Sequence, residues 1–295
     1  MEKNKFLTLK PMLLKEIDKP FNDNNYFYEL KFDGIRSLIY INKNEIIIKS
    51  RNNIILNDMY PELLEIKNIF NNECILDGEI ILLDNNKPSF SKLQERIRLK
   101  NKNKIKEYSV NNPVTFVCFD ILYKDKDLTN LPLIKRKEIL NQYKDTNSFV
   151  KSVCYNDGLK LFDLIIKNDL EGIVAKRKDS IYTYNKRVND WIKIKNFKEE
   201  KFYICGYSET KDSNLLSVIL CEKMNDKYFC VGKMSYSNKN DYFDEIKNSK
   251  IINNYIENYN KNNTNYIKPI FKVKVSYIEK TKNGMLRQPF IKKWQ

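Results

Sequence analysis

Short apolar runs of strand length recur along this chain, and helix-like spacing is confined to the segments between them. The runs predict strands at 26–32, 35–41, 45–50, 74–83, 114–122, 148–154, 171–176 and 190–195, and further ones at 202–207, 217–222, 228–234 and 271–278. Helices are predicted at 61–70, 89–97, 132–140, 159–167 and 241–256, and an irregular lead-in at 8–20. This mixed order favours an α+β fold. The sequence has no Gly-rich phosphate loop, which excludes P-loop and Rossmann enzymes.

The pattern changes after residue 195, where the polar segment 196–201 reads as a linker. With 295 residues, the chain is long enough for one large domain or two. We expect a first domain over 1–198 and a second over 199–295. Short strands with one helix indicate a small barrel in the second, and the OB-fold is the nucleic-acid-binding candidate of that kind.

The chain is strongly basic, with a formal net charge of +15. Such a charge favours a polyanionic partner such as nucleic acid. A competing explanation is codon usage, because Asn, Lys and Ile are abundant while Gly and Pro are scarce, as expected of an AT-rich genome.

Histidine is absent, which excludes Ser-His and Cys-His nucleophile pairs, His-ligated zinc and an imidazole base. The six cysteines show no C-x-x-C spacing and lie mostly in apolar runs, which disfavours zinc and favours buried thiols in a reducing compartment. No signal peptide or membrane-length apolar run is evident, so we expect a soluble, cytoplasmic protein.

Polar residues interrupt the apolar strands at several places. Lys31 ends one strand and is followed by Asp33-Gly34, a dipeptide typical of a two-residue hairpin turn. A lysine held beside a rigid turn is a candidate nucleophile, provided that cationic neighbours or desolvation remove its proton. A solvated lysine on an ordinary hairpin is the competing interpretation.

The other interruptions supply complementary chemistry. Glu79 lies within one strand and Glu171 opens another, and two separated carboxylates suit a hard divalent cation such as Mg²⁺. Lys193 and Lys195 share one strand face, repel each other and favour an anion between them. Phe119 offers a flat surface for a base. The competing interpretations are a bulged edge strand at 74–83 and an edge strand protected by lysines at 190–195.

Together with Arg36 and Arg51, two cations suited to phosphate, these side chains predict nucleotidyl transfer onto Lys31. Catalysis of that kind depends mainly on positioning and charge neutralisation. The surrounding cations would also lower the pKa of the lysine.

Six motifs in this order resemble those of ATP-dependent DNA ligases, which are lysine nucleotidyltransferases. They are Lys31-Phe-Asp-Gly-Ile-Arg36, Ser50-Arg51-Asn52, Leu76-Asp-Gly-Glu79, Phe119-Asp-Ile-Leu, Glu171-Gly-Ile-Val-Ala-Lys176 and Trp191-Ile-Lys-Ile-Lys195. Leu286-Arg287-Gln-Pro near the end is similar to the tail of the ligase domain in bacterial non-homologous end-joining ligases.

The resemblance implies a nucleotidyltransferase domain, with ATP-grasp-like antiparallel sheets and flanking helices, followed by an OB-fold β-barrel. It implies sealing of 5′-phosphate/3′-hydroxyl nicks through a covalent lysyl-AMP, with ATP as the AMP donor and Mg²⁺ or Mn²⁺ as the metal. The expected substrate is nicked double-stranded DNA. We expect a monomer without membrane attachment, and the end-binding protein Ku or a separate repair polymerase as partners.

The resemblance also assigns roles to individual side chains. Lys31 would be the nucleophile, Glu29 and Phe119 would contact adenine, and Arg36 and Glu79 would contact the ribose. Glu79 and Glu171 would bind the metal, and Lys193 and Lys195 the α-phosphate. Arg51 would bind the 5′-phosphate of the nick, and Arg287, Lys292 and Lys293 would bind pyrophosphate. Lys176 matches a motif without an assigned role.

Two alternatives remain open at this point. One is an RNA ligase or a GTP-dependent capping guanylyltransferase, which share the lysine motif and differ in the nucleotide that becomes attached to the protein. The other is a basic nucleic-acid-binding protein with an inert motif, whose binding would weaken with salt and whose lysine would carry no label.

Overall fold

A computed structural model describes residues 3–85 and 87–294, and the chain divides into two compact units after Lys195. The first unit contains strands β1 Leu13–Glu16, β2 Tyr26–Leu30, β3 Ile35–Ile41, β4 Ile46–Ser50, β5 Cys74–Asp84, β6 Lys87–Pro88, β7 Val114–Lys124, β8 Phe149–Lys151, β9 Gly172–Arg177 and β10 Arg187–Lys195. Its helices are α1 Lys3–Thr8, α2 Phe90–Ile97, α3 Lys102–Asn111, α4 Leu133–Leu140 and α5 Gly158–Lys167, with a 3-10 helix at Pro61–Ile69.

The strands of the first unit form two sheets, with orders β1-β10-β9-β2 and β4-β3-β5-β7-β8; β6 pairs with β5. The pairs β1–β10 and β7–β8 are parallel, and the other pairs are antiparallel. Mixed sheets with flanking helices confirm the predicted α+β class, but the expectation of antiparallel sheets is wrong for the pairs β1–β10 and β7–β8. Because β5 lies between β3 and β7, and β10 between β1 and β9, neither is an edge strand, and both edge-strand interpretations are wrong.

Alternating apolar side chains give the second sheet two buried faces. On β3, Ile39 and Ile41 pack toward the 3-10 helix and α2, whereas Leu38 and Tyr40 pack on the other side with Trp191 of the first sheet. A third apolar cluster joins the remaining face of the first sheet to α5. The candidate residues on β3, β5, β7, β9 and β10 are therefore held on strands packed on both sides.

The predicted hairpin at Lys31 is wrong. β2 pairs with β9, whereas β3 pairs with β4 and β5, so residues 31–34 cross from one sheet to the other. Gly34 lacks the positive φ that a two-residue hairpin turn requires. Its role is close approach, because a Cβ there would lie 2.2 Å from the Ile80 carbonyl oxygen and 2.9 Å from Glu79 Cγ.

The lead-in was also predicted incorrectly. Residues 8–20 contain β1, which runs parallel to β10 and places Glu16 opposite Lys193. A four-residue strand carries too little alternation to be recognised locally, and its pairing with β10 comes from tertiary structure.

The second unit contains β11 Lys198–Glu209, β12 Leu215–Met224, β13 Lys227–Ser237, α6 Phe243–Lys247, β14 Ile251–Ile252, β15 Asn265–Tyr277 and β16 Phe290–Trp294. The strand order is β13-β12-β11-β15-β14, with β16 also paired to β15. The helix predicted over 241–256 is reduced to α6, because Ile251 and Ile252 pair with Ile267 and Tyr266 instead. In the described residues, no helix has the length and apolarity needed to cross a membrane.

Candidate active site

Lys31 lies in the segment that crosses between the two sheets, directly after β2. Its Nζ is 2.8 Å from Glu171 Oε1, and its backbone N–H donates to the Gly172 carbonyl at 2.9 Å. Only glycine fits at Gly172, where φ is +154° and a Cβ would lie 2.2 Å from the Ile194 carbonyl oxygen. Close packing at this glycine therefore brings Lys31, Glu171 and the end of β10 together.

The charged group paired with Lys31 is an anion, Glu171, which is one of the two carboxylates that the sequence places in the same site. The Glu171 carboxylate holds the amine in an ion pair whose two side chains are mostly buried. Cations do lie nearby: burial lowers the pKa of Lys195, and Lys193 and Lys31 lower it further.

Glu79 lies on β5 opposite Arg36 of β3. Burial raises the pKa of Glu79 to about 8, which Lys31 and Arg36 partly offset and Glu171 reinforces. Across the described ranges, no group of three or more Asp, Glu, Cys or His side chains is arranged around a metal position. Two carboxyl groups nevertheless match the oxygen chemistry of Mg²⁺, which completes its shell with water and substrate phosphate.

The two lysines of β10 share an anion, as predicted. Glu16 Oε2 lies 2.7 Å from the Nζ of Lys193 and 3.5 Å from that of Lys195. Burial opposes the ionisation of Glu16, but the two lysines lower its pKa overall. Sequence reasoning missed Glu16 because it treated residues 8–20 as irregular.

Arg36 is fixed by a two-pronged pair with Asp77. Its Nε and Nη2 donate to the two Asp77 oxygens at 3.1 and 2.7 Å. The guanidinium carbon lies 5.2 Å from the ring centre of Phe119 and 5.9 Å from that of Trp191. The cation and the flat rings therefore form one wall.

Glu29 is buried between two lysines. Its oxygens lie 2.7 Å from Lys137 Nζ and 2.9 Å from Lys176 Nζ. Although burial opposes ionisation, the lysines lower the pKa of Glu29. Lys176 Nζ is also 4.2 Å from the ring centres of both Phe119 and Trp191. Lys176 thus belongs to the same wall, a position that its motif alone did not reveal.

One pocket collects five of the residues that were assigned roles from the sequence, namely Glu29, Lys31, Arg36, Glu79 and Phe119. It is lined by the charged residues Glu29, Lys31, Arg36, Glu79 and Lys176, the aromatic residues Phe32, Phe119 and Trp191, and the aliphatic residues Leu14, Leu30 and Val174. Glu171 joins it through its ion pair with Lys31, whereas Lys193 and Lys195 lie beside it on β10. An amine, three carboxyl groups, several cations and flat rings suit a nucleotide.

Other predicted residues lie elsewhere. Arg51 is exposed in the turn after β4, where its backbone N–H donates to the Arg36 carbonyl at 2.9 Å. Arg287 belongs to the second unit and pairs with Glu279 at 3.2 Å. Lys292 and Lys293 lie on β16, and Lys292 pairs with Glu199.

Known proteins that are similar to this chain include DNA ligases, in agreement with the motifs. A family profile described as an ATP-dependent DNA ligase domain matches residues 11–195. The SPbeta prophage-derived DNA ligase-like protein LigB of Bacillus subtilis (strain 168) is 31% identical over 291 residues, covering 97% of this chain and 99% of LigB. The bifunctional non-homologous end joining protein LigD of the same strain is 32% identical over 235 residues, covering 72% of this chain and 38% of LigD.

A solved structure described as mycobacterial DNA ligase D complexed with ATP and MES has a TM-score of 0.59 at 22% identity. The match covers 98% of this chain and 96% of that one, and it shows a shared fold. The profile match and the near full-length similarity to LigB establish the family. The chain therefore belongs to the ATP-dependent DNA ligase family.

Proposed function

We propose that this chain seals 5′-phosphate/3′-hydroxyl nicks in double-stranded DNA by way of an AMP carried on Lys31. The observation that carries the proposal is the position of the Lys31 amine. It lies at a pocket with an aromatic wall, beside Glu171 and next to the lysine pair of β10.

In the first step, Lys31 Nζ bonds to the α-phosphorus of ATP while the bond from that phosphorus to pyrophosphate breaks. The amine must lose a proton and its ion pair, and Glu171 Oε1, 2.8 Å away, is placed to accept that proton. Lys193 and Lys195 then neutralise negative charge on the phosphate. AMP passes to the 5′-phosphate of the nick, and the 3′-hydroxyl displaces it.

Further roles follow from the pocket. Phe119 provides the surface on which adenine stacks, and Glu29 and Lys176 line the same pocket and contact the polar edge of the adenine. Arg36 and Glu79 face the ribose. When bound, Mg²⁺ or Mn²⁺ would neutralise phosphate charge, and Glu79 and Glu171 would hold it.

The second unit is proposed to be an OB-fold that contacts DNA and pyrophosphate. Its antiparallel strands and short helix support this assignment, as does the basic tail with Arg287, Lys292 and Lys293. Arg51 is proposed to bind the nick 5′-phosphate, since it is exposed while its backbone is tied to Arg36.

A ligation assay tests the proposed function. Labelled nicked duplex is incubated with Mg²⁺ and with ATP, GTP or NAD supplied separately, and we expect sealing with ATP alone. Label transferred to the protein from GTP alone would favour a capping guanylyltransferase. Salt-sensitive DNA binding without any protein label would favour the inert binder. Nicked, cohesive and blunt substrates, each with and without Ku, test the expected partnership with Ku.

Glu16 should compete with the triphosphate for Lys193 and Lys195. We expect Glu16→Gln to lower the KM for ATP in adenylation about two- to fivefold, because a partly exposed ion pair is worth little. Glu45→Gln, which breaks the exposed pair with Lys3, is the control and should leave KM unchanged. A raised KM for Glu16→Gln would show instead that Glu16 holds the lysines in place.

Glu79, which lines the pocket, and Glu171, which is paired with Lys31 beside it, should bind a divalent cation directly. Titration of Mn²⁺, followed by electron paramagnetic resonance, should give a dissociation constant at least about tenfold larger for Glu79→Gln and for Glu171→Gln than for the wild type. Asp84→Asn removes a carboxylate at the end of the same strand β5, outside the pocket, and should change nothing. Unchanged Mn²⁺ binding in both pocket variants would remove the metal assignment.

A further inference from the structure

Tyr182 is the buried end of a hydrogen-bonded chain that leads to Arg36. Its hydroxyl donates to Asp77 Oδ2 at 2.7 Å and accepts from the Met12 backbone N–H at 3.0 Å. Asp77 is fully buried, and its two oxygens accept from Arg36. This series of hydrogen bonds therefore runs from the backbone before β1, through Tyr182 and Asp77, to the Arg36 guanidinium at the pocket.

This series of hydrogen bonds fixes the direction in which the Arg36 N–H groups point. A guanidinium has five N–H donors in a rigid plane, and Asp77 takes the edge formed by Nε and Nη2. Phe119 and Trp191 lie within cation–π distance of the same group. The guanidinium plane is thereby held by the Asp77 carboxylate on one edge and by the two rings beside it. The remaining edge, which carries Nη1, is left for the pocket that Arg36 lines.

A neighbouring tyrosine, Tyr184, differs from Tyr182 in the hydrogen bonding of its hydroxyl group. Tyr184 packs against Tyr182, with ring centres 5.2 Å apart, and both are part of the same apolar cluster. Within the described residues, the buried Tyr184 hydroxyl has no hydrogen-bond partner. Two adjacent tyrosines therefore differ in the contacts of their hydroxyl groups, which makes Tyr184 a matched control.

We propose that Tyr182 is a positioning residue, which acts through Asp77 to aim Arg36 at a ribose hydroxyl of the bound nucleotide. The assignment of Arg36 to the ribose rests on the proposed function. Removing the Tyr182 hydroxyl would leave Asp77 free to turn, and the guanidinium would lose its fixed angle. Recognition of the ribose should weaken, while recognition of the base should persist.

The test measures binding of AMP, 2′-deoxy-AMP and 3′-deoxy-AMP, which occupy the pocket without reacting. Binding is followed by tryptophan fluorescence in a Trp294→Phe background, where Trp191 of the pocket is the one remaining tryptophan. We expect the wild type to prefer AMP over one deoxy analogue about tenfold. Tyr182→Phe should lose that preference by weakening AMP alone, and Tyr184→Phe should retain it.

A double-mutant cycle separates positioning from general destabilisation. Arg36→Lys should lose the same preference, and adding Tyr182→Phe to it should cost little more, because both changes act on one group. The inference is wrong if the wild type shows no preference, if Tyr182→Phe behaves like Tyr184→Phe, or if all three nucleotides weaken equally. Preserved binding without any lysyl-AMP from ATP would instead refute the proposed function alone.

Discussion

Replacing Lys31 with alanine or arginine is expected to abolish adenylation by ATP, with a rate loss on the order of 10⁴-fold or more. Alanine removes the nucleophile, and arginine keeps the charge but cannot deliver a neutral nitrogen. The measurement is single-turnover transfer of label from ATP to the protein. Sealing of a nicked duplex that already carries AMP on its 5′-phosphate should be much less affected, since that step does not need a new lysyl-AMP.

Lys178→Ala is the control for this prediction. Lys178 follows β9, is half-buried outside the pocket lining, and its Nζ donates to the Asn24 carbonyl, so its loss should leave adenylation unchanged. Label transfer at a normal rate in Lys31→Ala would show that another residue is the nucleophile.

The largest stability effect is expected at the buried pair Arg136–Asp120. The two side chains are fully buried, and two parallel hydrogen bonds of 2.8 Å join them. Arg136 also donates to the carbonyls of Leu131 and Ser180. Asp120→Ala should lower the free energy of unfolding of the first unit by about 3–5 kcal/mol, because it leaves a buried cation without a counter-charge. Urea unfolding followed by tryptophan fluorescence in a Trp294→Phe background, where Trp191 alone reports the first unit, checks this.

A pair on the same helix provides the control. Lys135 and Glu138 of α4 are joined at 2.9 Å but more than half exposed, so Glu138→Ala should cost at most about 0.5 kcal/mol. Equal losses for Asp120→Ala and Glu138→Ala would contradict the assignment of a buried, structurally essential pair.

Several charged residues in and beside the pocket were predictable from their places on apolar strands. Glu79 stands out because a charge inside an apolar strand is costly, Glu171 because it directly precedes the apolar strand β9, and Lys193 and Lys195 because of their period-two spacing. The sequence could not show which charges lie closest together. The nearest neighbour of Lys31 is Glu171, an anion, because the backbones meet at Gly172, and that contact depends on strand pairing far apart in sequence.

Residues outside the strand patterns were harder to place. Glu16 and Tyr182 lie in segments with weak local signals, and both gain their position from β10, Met12 and Asp77. The Asp33-Gly34 dipeptide was misleading for a similar reason. Its glycine is required by close packing on Ile80, and a local turn signal cannot be distinguished from that requirement.

The most direct measurement locates the covalent AMP. The protein is incubated with ATP and Mg²⁺, digested, and the modified peptide is sequenced by mass spectrometry. We predict one phosphoramidate adduct of AMP on Lys31, absent when GTP replaces ATP. An adduct on a different residue, or none on a protein that seals nicks with ATP, would contradict it.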